Sequence, residues 1–336
     1  MRMPRHILIV LALVALLIVV PGNRAGNLGA AAPQAAAKRI ALSFDDAPRA
    51  PGAFLTPDQR AERLIAAFRA ARVEQVAFYV NPARINRGDG DEARLARYVA
   101  AGHVIANHSF SHPHLSGTGA EAYLADIDLA TAWLKDRPGY RPWFRFPFLD
   151  EGGRDKAKRD AVRTGLAARG LQNGYVTVDG SDWNMEALAV AAAKAGKPID
   201  MEALRTLYVE THVQSADFGD ALAIRAIGRS PVHVMLLHET DLAALFIGDL
   251  IDALRRDGWE IVSNDIAYAD PIHTAMPDVP SSNGTLLESI AWEKGLPAPR
   301  WYDRNDVRIA SRLFAERVLH EGAPDTAASA TRGARR

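Results

Sequence analysis

From residue 38 to about residue 269, short apolar runs alternate with amphipathic stretches, and no other feature constrains the fold as strongly. Strands separated by a helix's length of chain cannot be joined by a tight turn, so each crossover returns the next strand parallel to the last. Residues 40–44, 76–80, 104–106, 144–146, 175–178, 232–237 and 261–262 read as about seven buried strands. Between the first two, Thr56-Pro57-Asp58-Gln59 reads as an N-cap, a first-turn proline and a capping-box glutamine. Leu64, Ile65 and Phe68 then supply that helix's core stripe. Further helices are expected over 91–101, stopped by Gly102, through Leu124, Ile127, Thr131 and Leu134, and over 242–254. The class is therefore α/β with a parallel sheet, either closed as a barrel or open and doubly wound.

The flanks read differently. Arg2 and Arg5 precede an unbroken apolar run over 7–20, followed by Pro21, Gly22 and an Ala/Gly-rich stretch to Ala37. Fourteen apolar residues make a helix of about 21 Å, short of a hydrocarbon core of roughly 30 Å. Residues 1–37 thus read as a secretory signal or N-terminal anchor, which makes the protein exported, periplasmic or held facing the periplasm. Residues 38–280 form the expected catalytic barrel, with an Ala-rich helical insertion over about 184–228 that could overlie its mouth. Past Pro271 the pattern dissolves into Pro, Ser, Asn and Gly. It resumes as a helix over 306–319, so 281–336 reads as a C-terminal extension ending in a disordered tail.

Composition narrows the chemistry. The 40 basic and 40 acidic residues balance, so no overall field draws the chain to nucleic acid, and a membrane is met only through the N-terminal segment. With no cysteine, thiolate ligands and a cysteine nucleophile are excluded, leaving histidine and carboxylate for metal chemistry. Those residue types gather where the strands are expected to end. Asp45 and Asp46 close the first strand. His108, His112 and His114 follow the third, Arg145 and Phe148 lie at the fourth, Asp179 and Asp182 follow the fifth, and His238 ends the sixth. One such residue would pass as a cap, a surface ion pair or a hydrogen-bonded core histidine. Five strand ends carrying them together point to a site at the C-terminal face of the sheet, because unpartnered buried charge costs several kcal/mol, roughly. His108 and His112 are spaced so that both can face one ion, and two histidines with one aspartate would leave coordination positions open for water and substrate.

In order and spacing these segments resemble the five motifs of the polysaccharide deacetylase family, carbohydrate esterase family four, over about residues 38–269. The family's TFDDGP stands here as Ser43-Phe44-Asp45-Asp46-Ala47-Pro48, H-[ST]-x-x-H as His108 to His112, and R-x-P-[YF] as Arg145 to Phe148. D-x-x-D-W is Asp179 to Trp183, and L-x-H is Leu236 to His238. The resemblance implies a distorted (β/α) barrel of the NodB type and metal-dependent removal of N-acetyl, or O-acetyl, groups from a glycan such as chito-oligosaccharide or peptidoglycan. It implies Asp45 as general base and Asp46, His108 and His112 as metal ligands. Arg145 would orient the base, and the Phe148 N–H would help form an oxyanion hole. Asp182 would support His238 as general acid, while Trp183 and Leu236 would wall the acetyl pocket. The implied cofactor is a divalent metal, zinc first, with cobalt, nickel or manganese accepted by the same donors. Two departures, Ala47 for glycine and the long insertion, bear on the substrate more than on the chemistry. Two alternatives stay open: a small-amide or ester hydrolase on the same scaffold, and a non-haem iron oxygenase, whose facial triad uses the same three ligand types.

Overall fold

The computed structural model describes residues 38–85 and 90–322. The expected export segment over 1–37 and the expected disordered tail beyond residue 322 lie outside the described residues.

Strand β1 (Lys38–Ala47) is central and shows how period-two patterning sorts its side chains. Ile40, Leu42 and Phe44 join the outer core, beneath α1 (Pro57–Ala70). Ala41 joins the inner core with Ala77, Tyr79, Ala106, Val234 and Leu236. α1 starts as its sequence requires: Thr56 accepts from the Gln59 N–H, Gln59 caps in return, and Pro57 opens the first turn. The chain continues through β2 (Ala77–Val80), α2 (Asp91–Ala100), β3 (Val104–Asn107), α3 (Ala120–Leu134) and β4 (Tyr140–Phe144). β5 (Asp150–Gly153), α4 (Lys156–Ala168), β6 (Gln172–Asn173), β7 (Val178–Asp179), α5 (Asp182–Lys194) and α6 (Met201–Ile227) follow. Then come β8 (Val232–His238), α7 (Asp241–Arg256), β9 (Trp259–Ile261), α8 (Asn264–Tyr268), β10 (Ser282–Asn283), α9 (Leu286–Glu293) and α10 (Val307–Arg317).

The main sheet runs β6-β4-β3-β2-β1-β8-β7, every pair parallel, with β9 paired to the first residues of β1. Its two end strands are the two halves of one short stretch of chain. β6 pairs with β4 and β7 with β8, and residues 174–177 bridge them: the Gly174 N–H donates to Phe144 O at 2.6 Å and the Thr177 N–H to Val234 O at 3.0 Å. The sheet therefore curls into a distorted barrel whose seam lies at 172–179. That seam corrects the expected strand over 175–178, because Tyr175 and Val176 span the gap instead of pairing along it. The expected strand over 144–146 is also shifted: β4 ends at Phe144, and Phe146 leads into a 3-10 turn that carries Phe148 in the left-handed region (φ 58).

The insertion resolves into α5 and α6. α6 packs against α7, α9 and β7, and it is α5, through Trp183, Glu186, Ala187 and Val190, that lines the cavity at the mouth. Helices α4 and α9 and the small β5–β10 sheet were not foreseen; the sheet pairs residues 282–283 with residues 150–153, a contact that only the folded chain brings about. The segment after residue 271 packs on the barrel, with Tyr302 donating to Gln214 and Arg304 to Thr211 and Glu210 on α6. Among the described residues no helix is long and apolar enough to cross a membrane.

Candidate active site

The parallel register brings the chemistry-bearing residues to one rim. Asp45 stands level with His238 and Ser43 with Leu236 across β1 and β8, while Asp179 is level with Leu236 across β7 and β8. Asn107 ends β3 and pairs with Val80 and Phe144, so His108 and Arg145 leave their strands side by side. Three groups meet at this rim.

The first centres on Arg145, which is 1 % exposed inside the barrel. Its Nη1 donates to Asp45 Oδ1 at 2.6 Å and to Ser43 Oγ at 2.9 Å, its Nε to Gly174 O at 2.8 Å, and its Nη2 to the Tyr268 hydroxyl at 2.8 Å. Its Cζ lies 3.9 Å from the Tyr79 ring centroid, and Tyr79 donates to Tyr268 at 2.7 Å. A guanidinium this dry is held only by such a complete set of acceptors. Gly174 is obligatory, since a Cβ there would lie 2.2 Å from the Tyr79 hydroxyl. Tyr79, Gly174 and Tyr268 escaped sequence reasoning because nothing local marks a residue whose role is to face a distant arginine.

The second group is Asp46, His108 and His112, whose ligand atoms all lie within 4.8 Å of one another. Asp46 Oδ1 is 2.9 Å from His112 Nε2 and 3.7 Å from His108 Nε2. The His108 Nδ1 lies 2.9 Å from Arg145 O, which accepts its proton and leaves the Nε2 lone pair toward Asp46. Burial, the largest influence, lowers the His108 pKa to about 4, so it is a neutral imidazole near neutrality. Burial would raise Asp46, but the hydrogen bond with His112 and the neighbouring histidine charges hold it well below the usual carboxylate range. Two imidazoles and a carboxylate whose ligand atoms converge in this way fit a divalent cation. The loop that carries them is pinned from α3 and β2. Asp126 accepts from the Phe110 and Ser111 N–H groups, Asn107 accepts from Ser109, and Asn81 donates to His108 O.

The third group is Asp182 and His238. Asp182, 1 % exposed at the start of α5, accepts from His238 Nδ1–H at 2.7 Å and from the His238 N–H at 2.7 Å. Burial works against charge on His238, but Asp182 outweighs it and the imidazole pKa is raised. Asn305, from the C-terminal segment, donates to Asp179 O at 3.1 Å and accepts from Ser181 Oγ, bracing this loop from outside the motif. Leu236 is buried just below the rim, whereas Phe148 and Trp183 are 53 % and 44 % exposed. The Phe148 ring stacks on His114 at 3.5 Å and stands 4.4 Å from that of His112. Asp46, Ser109, His112, Phe148 and Ser181 all have positive φ. Such conformations cost about 1–3 kcal/mol each and gather where geometry serves function. Ala47 leaves the first loop intact, its methyl packed in the outer core and its carbonyl accepting from the Asn81 N–H.

With this geometry in view, residues 32–168 match the family model described as polysaccharide deacetylase. That segment is similar to the polysaccharide deacetylase family. A search of curated protein sequences finds no match. Solved structures with a similar fold include a family 4 carbohydrate esterase from Streptomyces lividans in complex with acetate (19 % identity, 72 % of this chain and 98 % of that one, TM-score 0.43). The peptidoglycan deacetylase PdaC from Bacillus subtilis is similar at 20 % identity over 68 % and 88 %, TM-score 0.41. The chitin deacetylase from Colletotrichum lindemuthianum is similar at 18 % over 68 % and 87 %, TM-score 0.44. The matched region contains Asp45, Asp46, His108, His112 and Arg145, whereas Asp182 and His238 lie beyond it.

Proposed function

We propose that the protein is a metal-dependent deacetylase that hydrolyses N-acetyl groups on a glycan. The observation that carries this reading is the pairing of two acid-base systems across one rim, Asp45 with Arg145 and His238 with Asp182, beside a ligand triad. Asp46, His108 and His112 would hold the cation, zinc first among those that oxygen and nitrogen donors accept. Such an ion supplies Lewis-acid polarisation of a carbonyl oxygen and makes a water molecule acidic near neutrality. Asp45, oriented by Arg145 at 2.6 Å, accepts the proton of the attacking water. The Phe148 N–H faces the developing oxyanion, and Trp183 and Leu236 enclose the acetyl methyl. An amine leaves poorly unless protonated, so His238 as imidazolium donates its Nε2 proton to the departing nitrogen while Asp182 holds Nδ1. The products are acetate and a free amine. The protein works outside the cytoplasm, a reading supported by the basic and apolar pattern of residues 1–37.

The test is acetate release from acetylated chito-oligosaccharides and peptidoglycan fragments by the zinc-reconstituted full chain, with chelator-treated, Asp45→Asn and His238→Ala proteins alongside. Zinc-dependent release lost in both variants is the expected result. No release from any glycan by protein that binds zinc stoichiometrically would overturn the glycan reading and turn the search to small amides and esters.

A further inference from the structure

Two arginines beside the ligand triad have no role in the acetyl chemistry. Arg49 Nη1 lies 2.9 Å from Asp46 Oδ2 and Arg84 Nη1 lies 3.1 Å from Asp46 Oδ1. Asp46 is the one acidic partner of either guanidinium among the described residues, and its Oδ1 is also 2.9 Å from His112 Nε2. One carboxylate cannot neutralise a divalent cation and two guanidiniums together. Both side chains are about one-third exposed, and both line a cavity of about 880 Å³ that Trp183 also lines. The other charges around this cavity are matched. Arg60 is held by Asp241 at 2.8 Å, Arg94 pairs with Asp91 and Asp58, Asp58 also with Arg97, and the buried Glu186 accepts from the Leu242 N–H.

The position of Arg49 is built rather than incidental. Its own N–H donates to Glu239 Oε2 at 2.8 Å, and its carbonyl and that of Ala50 accept from Arg60. Asp241 accepts from the Phe54 and Leu55 N–H groups, and Gly52 passes so close that a Cβ there would lie 2.1 Å from Asp241 Oδ2. A loop pinned at this many points holds its arginine toward the site whatever Asp46 is doing.

We propose that Arg49 and Arg84 form an anion-recognition pair selecting acetylated substrates that carry a carboxylate beside the acetamido group. The two guanidiniums reach the two oxygens of one carboxylate, Asp46, which fits the planar two-point recognition that arginine offers. Their distance from the triad restricts the substrate's carboxylate to the same sugar residue as the scissile acetyl group or to a short substituent on it. This inference rests on the deacetylase reading for its substrate, but not for its anion site.

The experiment compares N-acetylmuramic-acid-containing oligosaccharide with the same oligosaccharide as its methyl ester. It measures binding to the zinc-loaded full chain by calorimetry and, separately, kcat/KM for acetate release. The expected preference for the acid is at least about a hundredfold, about tenfold for each of two charge-assisted hydrogen bonds. It should shrink about tenfold in Arg49→Gln or Arg84→Gln, and vanish in the double variant, with the circular dichroism spectrum unchanged. Raising ionic strength should also weaken it, since both arginines are partly solvated. Equal binding and equal turnover of acid and ester would overturn the anion site while leaving the deacetylase reading intact. Preferential, arginine-dependent binding of the acid without acetate release from either compound would uphold the anion site and overturn the deacetylase reading.

Discussion

Asp182 and His238 each change the other's protonation, and the sign of that coupling is testable. His238 has a raised pKa in the folded protein, so the stability it contributes is fully present below the unfolded value of 6.5 and is lost as pH rises through the raised value. Asp182 has a lowered pKa, so its contribution is present above 3.8 and is lost as pH falls through the folded value. Urea unfolding should therefore show a larger gap between wild type and Asp182→Asn at pH 6 than at pH 9. Activity follows the same proton. If His238 must be protonated to act, kcat falls as pH rises through its pKa, and Asp182→Asn should move that limb to lower pH. His238→Ala should lower kcat by about 10²- to 10⁴-fold, the usual worth of a positioned acid. A limb that stays in place in Asp182→Asn would remove His238 from the proton transfer.

At the scale of elements, the rim loops are held by helices that carry no catalytic group. The first loop hangs on the start of α7, where Asp241, wholly buried, caps Phe54 and Leu55 and neutralises Arg60. Asp241→Ala would leave the buried Arg60 only Glu239, at 3.9 Å, as an ion-pair partner, so chemical denaturation should show a loss of about 3–5 kcal/mol. The histidine loop hangs on α3 through Asp126, which accepts from two consecutive N–H groups and from Ser111 Oγ. Supports of metal ligands typically matter by 10- to 100-fold in affinity, so Asp126→Ala should weaken zinc binding about tenfold in a competition titration. The fold should survive, because Asp126 faces the loop and is only part-buried.

Across the whole molecule, barrel closure through residues 172–179 sets the first three strand ends opposite the last ones, and a cation held at the rim would tie the β1 and β3 loops together. A ligand that binds only the folded state stabilises by mass action, about 2.7 kcal/mol at a hundred times its Kd. Zinc should therefore raise the melting temperature by several degrees, a chelator should reverse this, and His112→Ala should abolish the response. Strand alternation, the Thr56 capping box and the ordered motifs were legible because each depends on neighbours within a few residues or on the strand period, and both are written locally. The motif spacing likewise carried the family and the candidate residues at five strand ends. What the chain did not disclose is long-range. The seam between β6 and β7, the β5–β10 pairing, the contacts of Arg145 with Ser43 and Tyr268, and the Asn305 brace all join segments more than ninety residues apart or sheet edges that meet only when the barrel curls. Arg84 likewise meets Asp46 only through the fold, whereas Arg49 stands three residues along the chain from it. Local sequence determined which segments are strands and which residue types stand at their ends, because periodicity and capping act within a few residues. Tertiary structure alone decided which of those ends share a rim and which charges meet there, because closure of the sheet sets distances that no local pattern encodes.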